Sequence, residues 1–397
     1  MARILYFIGA GLTKALALPT HPVPAMFDFI STSAEYINDD VILATLTDLE
    51  RCDPYPYAWR SREARSLALE LLEQKRQNGT SDPTVCSRFA RALRDRPGES
   101  IEDLLERTCG NGNWSSKGAD DHFRFAIRQI FTLIGWNIAW SPLISFLTRQ
   151  FERAGSTHTF VSFNYDLVLE RGIQLVPGDR LDPTRMYGFP ITLQVTGDPP
   201  STRTHGAVQR LPATALSARG IDSELLVLKP HGSLNWLAPI KGFYDESKGD
   251  DLRQGRSVIV PLGEDGALRY FPTTDLPPDV QVANDLPIEV EPVIVTPRGA
   301  KKPERQFLRN VREREEAAIL AADEVYVLGW SIPRTDTDQE CLIRHVVGRR
   351  SRPFEQLTVV NFVAGVDYYL RAQDIFGVEH NALRTYNGGF REFAATG

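Results

Sequence analysis

Clusters of glycine or polar residues follow apolar runs of this sequence at five separate places. Glycine lets a backbone approach a ligand closely, amide and carboxylate side chains orient water or hydroxyl groups, and an imidazole accepts a proton near neutral pH. Ligands of open α/β sheets bind beyond the carboxyl ends of the strands. Such clusters after successive strands therefore indicate one site built from several turns. The clusters are Gly9-Ala10-Gly11, Asn164-Tyr165-Asp166, His231-Gly232-Ser233, Gly329-Trp330-Ser331 and Asn361.

The first cluster lies in the stretch "LYFIGAGLTKALALPT", which starts at Leu5. Its pattern predicts a buried strand, a tight glycine turn and a short helix. A lone GxG also occurs in ordinary strand-to-helix connections. The alternative is a turn at which backbone N–H groups and a helix N-terminus meet a pyrophosphate. Leu12 and Thr13 continue that turn, and the hydroxyl of Thr13 is suited to a phosphate or a ribose.

Three of the clustered side chains have distinct chemical abilities. Asn164 can orient water or ribose hydroxyls, but it cannot take up a proton at neutral pH. His231 can, because a free imidazole titrates near pH 6.5. Asp166 either holds a ribose, braces the histidine or caps a turn, and the sequence leaves these roles open. Asp336, beyond the fourth cluster, is expected to cap its loop.

The strands that carry these clusters alternate with helical segments. Apolar runs occur in "HTFVSFNYD", "ELLVLKPHGSLNW", "EPVIVTP", "EVYVLGWSIPRTD" and "QLTVVNFVAG". Apolar strands that alternate with helices are typical of a parallel sheet covered on both faces. We therefore expect an α/β fold, a Rossmann-like parallel sheet with a large helical insert and a smaller insert rich in loops and hairpins.

The domain organisation follows from where the strand pattern stops and resumes. We expect a single domain over residues 1–397, whose sheet is interrupted by the inserts. The predicted core segments are 1–24, 155–176, 222–240 and 290–397, the helical insert is 25–154, and the loop or hairpin inserts are 177–221 and 241–289.

Composition narrows the class of protein. The 397 residues carry a formal net charge of −6, which argues against nucleic-acid binding through bulk electrostatics. The four cysteines, Cys52, Cys86, Cys109 and Cys341, form no CxxC pair, so neither a structural zinc site nor a disulfide framework is expected. No apolar run approaches the length of a membrane span. We expect a cytoplasmic protein that binds no membrane and no metal.

Five ordered motifs resemble a known family. The segments "FIGAGLTKALALPT", "FVSFNYD", "LKPHGSLNW", "VYVLGWSIPRTD" and "LTVVNF" are similar to the bacterial sirtuin-like NAD-binding domains, especially the NAD hydrolases of antiphage defence. The resemblance covers residues 1–20, 155–175, 222–236 and 290–365. It implies that NAD is the substrate and that cleavage yields nicotinamide and ADP-ribose.

Two departures bear on the reaction. Sirtuin deacetylases carry a four-cysteine zinc module, which this sequence lacks, and "ALALPTHP" has no arginine where their GIPxFR-type segment has one. A protein deacylase or an ADP-ribosyltransferase is therefore the alternative enzyme. A module that binds NAD or ADP-ribose without catalysis is the other alternative, although binding alone does not need a base such as His231.

The resemblance also implies a role for each cluster. Asn164 and His231 would be catalytic. Unrestrained NAD hydrolysis would kill the cell, so we expect gating by a homo-oligomer or by a defence partner that contacts the helical insert. The residues expected to bind NAD are Gly9, Ala10, Gly11, Leu12 and Thr13 (with Gly9 and Gly11 at the pyrophosphate), Asp166, Gly232 and Ser233, Gly329, Trp330 and Ser331 (with Gly329 and Ser331 at the adenosine half), and Asn361 at the adenosine ribose.

Overall fold

The structure is a computed structural model of the chain. The described residues are 2–18, 138–176, 186–187, 192–195, 207–210, 225–239, 258–259, 281–283, 290–295, 306–333, 336–362 and 365–396.

The described residues form strands and helices in alternation. A 3₁₀ turn at His380–Ala382 precedes the last strand. The strands are β1 (Arg3–Ile8), β2 (Thr157–Ser162), β3 (Thr192–Val195), β4 (Ala207–Arg210), β5 (Leu225–Leu228), β6 (Gly232–Pro239), β7 (Val258–Ile259), β8 (Gln281–Ala283), β9 (Val290–Ile294), β10 (Glu324–Leu328), β11 (Gln356–Val360) and β12 (Leu383–Tyr386). The helices are α1 (Ala10–Leu16), α2 (Trp140–Phe151), α3 (Val168–Leu175), α4 (Gln306–Ala321), α5 (Thr337–Val347), α6 (Val366–Phe376) and α7 (Gly389–Thr396).

The first sheet is parallel throughout. Its six strands lie in the order β12-β11-β10-β1-β2-β5. Numbered along the chain within this sheet, the order is 6-5-4-1-2-3, which is the strand order of a Rossmann fold. The expected class, an α/β fold with a Rossmann-like parallel sheet, is confirmed.

Helices cover both faces of this sheet. Successive residues of a strand point to opposite faces, and in β1 the ring of Tyr6 meets Phe146 of α2 whereas the ring of Phe7 meets Phe376 of α6. Helices α1, α2, α3 and α7 pack together on the first face, and α4, α5 and α6 pack together on the second. Residues 4–8 of β1 are each at most 2% exposed, so the strand that carries the glycine turn is fixed in the centre of the core.

A second sheet of six strands has mixed directions. Its order is β8-β4-β3-β7-β6-β9, and β9 pairs with β6 in antiparallel fashion. The strand predicted in "EPVIVTP" is present as β9, but its expected place in the parallel sheet was wrong, since β9 belongs to this second sheet. The physical reason is that β6 begins directly after the turn at His231 and offers β9 an open edge, since the backbone groups of a strand need partners.

The predicted inserts are only partly described. Of the helical insert, the residues described are 138–154, where α2 packs against α3 and α7 of the sheet's helical layer; the remainder lies outside the described residues. The domain boundaries stay a prediction. Among the helices in the described ranges, none has both the length and the apolar character needed to cross a membrane.

Candidate functional site

The five predicted clusters lie along one edge of the parallel sheet. Ile8 is in register with Ser162 and with Leu328, and Leu328 is in register with Val360. The glycine turn, the Gly329 loop and Asn361 therefore each begin one residue beyond the paired ends of adjacent strands. Farther along the edge, Val161 pairs with Leu228. Since parallel strands end on the same side, the structure brings all five clusters to the carboxyl edge.

Asn164 and His231 occupy equivalent positions beyond two neighbouring strands. Asn164 comes three residues after Val161 and His231 three residues after Leu228, and those two residues form the last pair of β2 with β5. Adjacent strands lie about 4.8 Å apart. The two residues expected to be catalytic are thus neighbours along the sheet edge.

The glycine turn packs against the loop after β10 at backbone distance. The N–H of Gly9 donates to the carbonyl of Leu328 at 3.1 Å, and the N–H of Gly11 donates to the carbonyl of Gly329 at 2.8 Å. A Cβ atom on Gly11 would lie 2.6 Å from that same carbonyl oxygen, and one on Gly329, whose φ is +62°, would lie 2.1 Å from the nitrogen of Leu12. The glycines are needed for this contact.

The N–H groups of the glycine turn are used within the protein, contrary to expectation. We expected the N–H groups of Gly9 and Gly11 to donate to a pyrophosphate. In the structure both N–H groups already have carbonyl acceptors, because β1 and β10 are adjacent and their ladder continues one turn beyond the strands. A ligand at this turn would therefore meet groups other than these two N–H donors.

Asn164 is buried and held by two acceptors. Its Nδ2 atom donates to the carbonyl of Gly9 and to Oγ1 of Thr13, both at 3.1 Å. The Thr13 hydroxyl in turn donates to Oδ2 of Asp166 at 2.9 Å. Since both protons of Nδ2 are used, Asn164 can present only its amide oxygen Oδ1 to a ligand. Thr13 orients Asn164 here and does not offer its proton to a phosphate or ribose.

Asp166 has the capping role that the sequence left open. Its Oδ1 atom accepts the N–H of Val168 at 3.0 Å, at the start of α3. Burial raises the pKa of Asp166 above its usual value, while the charge of Lys229 and the hydrogen bonds from Val168 and Thr13 act in the opposite direction. The side chain therefore fixes the turn between β2 and α3.

A fully buried lysine joins the turns after β2 and β5. Nζ of Lys229 donates to the carbonyl of Asp166 at 2.5 Å and to Oε1 of Glu170 at 2.8 Å. The hydroxyl of Tyr187 donates to the same Glu170 oxygen at 3.3 Å. Lys229 was not predicted as a site residue, although a charged residue inside the apolar run "LLVLKP", two positions before His231, was a visible signal.

His231 lies in a tight turn and packs on an aromatic side chain. The N–H of Gly232 donates to the carbonyl of Lys229 at 2.9 Å, and Gly232 has a φ of +84°, which suits glycine. The imidazole of His231 is 5.2 Å from the ring of Phe163, and Phe163 is 4.7 Å from the ring of Trp330. Two strand ends, those of β2 and β10, therefore contribute to one aromatic wall beside the imidazole.

The structure adds an acidic residue to this group. Nε2 of His231 lies 3.9 Å from Oδ1 of Asp336, and both side chains are buried. Asp336 occupies the N-cap position of α5, as expected for a capping residue, but its side chain makes no capping hydrogen bond. Asp336 also interacts electrostatically with Glu315 of α4, and Glu315 accepts a hydrogen bond from Gln339.

The remaining predicted site residues differ in exposure. Ser331 is exposed, whereas Ser233 is fully buried at the start of β6. Trp330 is buried, and its carbonyl accepts a hydrogen bond from Tyr368 of α6. Oδ1 of Asn361 accepts the N–H of the next residue, Phe362. Ala10 is partly buried and Leu12 is buried in the core, so the side chain of Leu12 serves packing.

Within the described residues, no group of three or more histidine, cysteine or acidic side chains is placed to hold a metal ion. The carboxyl edge carries the amide oxygen of Asn164, the imidazole of His231 and the exposed hydroxyl of Ser331. The aromatic wall of Phe163 and Trp330 lies beside the imidazole. These groups can bind a polar ligand, orient water and accept a proton.

Comparison with known proteins finds likenesses among solved structures. No protein-family model and no curated protein matches this chain. Among solved structures it is similar to a crystal structure of Sir2 in complex with the inhibitor EX-527, 2'-O-acetyl-ADP-ribose and a deacetylated p53 peptide. The sequence identity is 14% and the TM-score is 0.33, over 73% of this chain and 87% of that chain. The TM-score is low, so the fold class rests on the strand order of the parallel sheet and not on this likeness.

Proposed function

We propose that this protein is an NAD glycohydrolase, which cleaves the nicotinamide–ribose bond of NAD with water. The observation that carries the proposal is the placement of Asn164 and His231 at equivalent positions beyond adjacent parallel strands. An oriented amide oxygen and a general base beyond adjacent strands are suited to the hydrolysis of a glycosidic bond. The resemblance of the motifs to sirtuin-like NAD hydrolases indicates NAD as the substrate.

The proposed reaction is the hydrolysis of NAD at the bond between the ribose and nicotinamide. The bond between C1' of the ribose and the nicotinamide nitrogen breaks, and its electron pair leaves with nicotinamide. The ribose passes through an oxocarbenium-like state, as in other glycoside cleavage. Water then forms the new bond to C1' and loses one proton. The products are nicotinamide, ADP-ribose and that proton.

Each of the two residues has one task in this course. Asn164, whose amide group is fixed by Gly9 and Thr13, orients the water or the ribose hydroxyls through Oδ1. His231 accepts the proton, and general-base catalysis of this kind contributes about 10²–10⁴-fold to a rate. The aromatic wall of Phe163 and Trp330 beside the imidazole limits the access of bulk water.

We propose that the pyrophosphate and the adenosine half of NAD lie along the carboxyl edge of the parallel sheet. The pyrophosphate lies against the glycine turn without using the N–H groups of Gly9 and Gly11. The adenosine half extends toward the exposed Ser331 and toward Asn361, which lie beyond β10 and β11. Because these clusters are consecutive along the edge, one extended dinucleotide passes all of them.

The proposal includes control of the activity. A cytoplasmic enzyme that hydrolysed NAD without restraint would exhaust the NAD of its own cell. We propose that self-assembly or a defence partner holds the activity low until a phage-derived signal arrives. The segment expected to make that contact, 25–154, is described only at 138–154. Light scattering after size exclusion, run beside an activity assay, tests this: a strict monomer with full activity on its own would end the idea.

The direct experiment is incubation of the purified protein with NAD, followed by chromatography of the products. Nicotinamide and ADP-ribose in equal amounts support the proposal. NAD binding in calorimetry without any cleavage would instead indicate a regulatory binding module. Nicotinamide release only in the presence of an acyl-lysine peptide or an acceptor protein would indicate a deacylase or an ADP-ribosyltransferase.

A further inference from the structure

We propose that Asp336 is a positioning residue for the reaction and acts through His231: its carboxylate stabilises the imidazolium that forms when His231 takes the proton from water. This inference rests on the proposed function for its catalytic consequence. The pairing itself can be tested without any NAD cleavage.

The geometry places the two groups in ion-pair range in a buried setting. Nε2 of His231 and Oδ1 of Asp336 are 3.9 Å apart, and the side chains are 8% and 4% exposed. A distance of 3.9 Å is longer than a hydrogen bond, so the interaction is electrostatic. Water screens a charge poorly in such a place, so a carboxylate there favours the protonated ring.

Hydrogen bonds hold the backbone of Asp336 and of the described residues that precede it. The N–H of Asp336 donates to the carbonyl of Pro333 at 3.1 Å. Four residues earlier in the sequence, Ile332 has a φ of +48°, which is unusual for a β-branched residue, and its carbonyl accepts a hydrogen bond from Arg371 of α6 at 2.7 Å. Strained backbone held by surrounding contacts is typical of functional loops. Ile332 is therefore held from α6, and the backbone N–H of Asp336 is held by Pro333.

A second acid lies behind Asp336 and takes a different protonation state. Burial, with a smaller contribution from Asp336, raises the pKa of Glu315 to about 8. Glu315 therefore carries a proton at neutral pH and adds no competing negative charge. Its Oε1 atom accepts a hydrogen bond from Gln339 of α5. Of these two acids, Asp336 is the one in ion-pair range of the imidazole.

The structural alternative is that Asp336 merely begins α5. Its side chain makes no capping hydrogen bond to α5, and its carboxylate lies in ion-pair range of the imidazole, which a capping role does not require. Asp338 lies in the first turn of the same helix and is partly exposed. The substitution Asp338→Asn is therefore the matched control for Asp336→Asn.

The first test uses the protonation of His231 in the full chain. Histidine labelled with ¹⁵N reports by NMR the ratio of imidazolium to neutral ring at a fixed pH near 6.5, where a free histidine is half protonated. We expect Asp336→Asn to lower this ratio for His231 about tenfold, Asp338→Asn to leave it unchanged, and Asp336→Glu to restore part of it. An unchanged ratio in Asp336→Asn would overturn the pairing.

The second test uses catalysis. We expect Asp336→Asn to lower kcat about 10- to 100-fold with little change in KM, since the charge acts on the transition state. The same substitution in a His231→Ala background should cost nothing further. A full additional loss in that background would overturn action through His231.

The two tests separate the two proposals. If the ratio falls in Asp336→Asn and the wild-type protein does not cleave NAD, the pairing stands and the proposed function fails. If wild type cleaves NAD and the imidazolium ratio of His231 is unchanged in Asp336→Asn, the proposed function stands and the pairing fails. Thermal unfolding of each variant checks the fold, and Asp336→Glu, which keeps the charge, provides the second variant should Asp336→Asn fail to fold.

Discussion

The N–H of Gly11 donates to the carbonyl of Gly329 at 2.8 Å, which ties the turn after β1 to the loop after β10. These two strands lie at the point where the strand order of the sheet reverses, the place at which open α/β folds bind ligands. The close approach of two glycine loops there sets the floor of the candidate site and accounts for the glycine spacing.

The first prediction concerns Gly11. A side chain at this position would meet the Gly329 carbonyl oxygen at 2.6 Å, so Gly11→Val forces the two loops apart. We expect a loss of about 3 kcal/mol in the free energy of unfolding, as for other overpacked sites. Urea unfolding measures it. Gly365→Ala is the control, because nothing lies within 4 Å of a Cβ there; equal stability of both variants would refute the contact.

The second prediction concerns the buried pair of Lys229 and Glu170. Removing one partner of a buried ion pair costs about 3–5 kcal/mol, because the other charge stays buried without compensation. We expect Lys229→Met to lose that much stability. The double variant with Glu170→Gln should recover part of it. Denaturant unfolding of the three variants gives the coupling energy, and simple additivity would argue against the pair.

The third prediction concerns pH. An acid whose pKa is raised in the folded state, as for Glu315 at about 8, binds its proton more tightly when folded. The free energy of unfolding then falls as pH rises from about 4.5 to about 8 and levels off above that. Glu315→Gln removes this dependence and keeps an oxygen for Gln339. We expect the free energy of unfolding of Glu315→Gln, relative to that of wild type, to rise by a few kcal/mol from pH 5 to pH 8.

That pH comparison needs only thermal unfolding of the two proteins in matched buffers. A stability difference between Glu315→Gln and wild type that is the same at pH 5 and at pH 8 would show that Glu315 titrates normally. Glu316→Gln is the control, since Glu316 is adjacent on α4 and partly exposed.

Much of the sheet was predictable because its strands are buried on both faces. Such strands are continuous apolar runs, and β1, β2, β5, β10 and β11 all lie within runs that the sequence shows directly. Strand β12 was not predicted. It is an edge strand with exposed residues at Arg384 and Thr385, so it has no apolar signal.

The candidate site was predictable in its location but not in its contacts. Strand ends are local features, and Asn164 and His231 were found from them. The neighbours of those residues come from segments distant in sequence: the Thr13 hydroxyl lies 151 residues from Asn164, and Asp336 belongs to another helix. Thr13 meets Asn164, and Asp336 meets His231, because of how the strands of the parallel sheet pair. A single sequence does not contain that pairing.

The fourth prediction concerns the amide of Asn164. Asn164→Asp is nearly isosteric but replaces the Nδ2 donor by an oxygen, which would face the carbonyl of Gly9. We expect this variant to lose NAD cleavage about a hundredfold or more and to lose about 1–3 kcal/mol of stability, because buried acceptors are left unpaired. Asn164→Ala should lose cleavage to the same extent. Full activity in Asn164→Asp would show that the amide group is not required.

The most direct test of the account is the rate of nicotinamide release by wild type and by His231→Ala, each in molar excess over NAD so that slow basal turnover is detected. Calorimetry on both proteins shows that NAD still binds, and thermal unfolding shows that both are folded. We expect nicotinamide release by wild type and a rate at least about a hundredfold lower for His231→Ala. Wild-type protein that binds NAD and releases no nicotinamide, or a folded His231→Ala variant that releases it at the wild-type rate, would contradict the account.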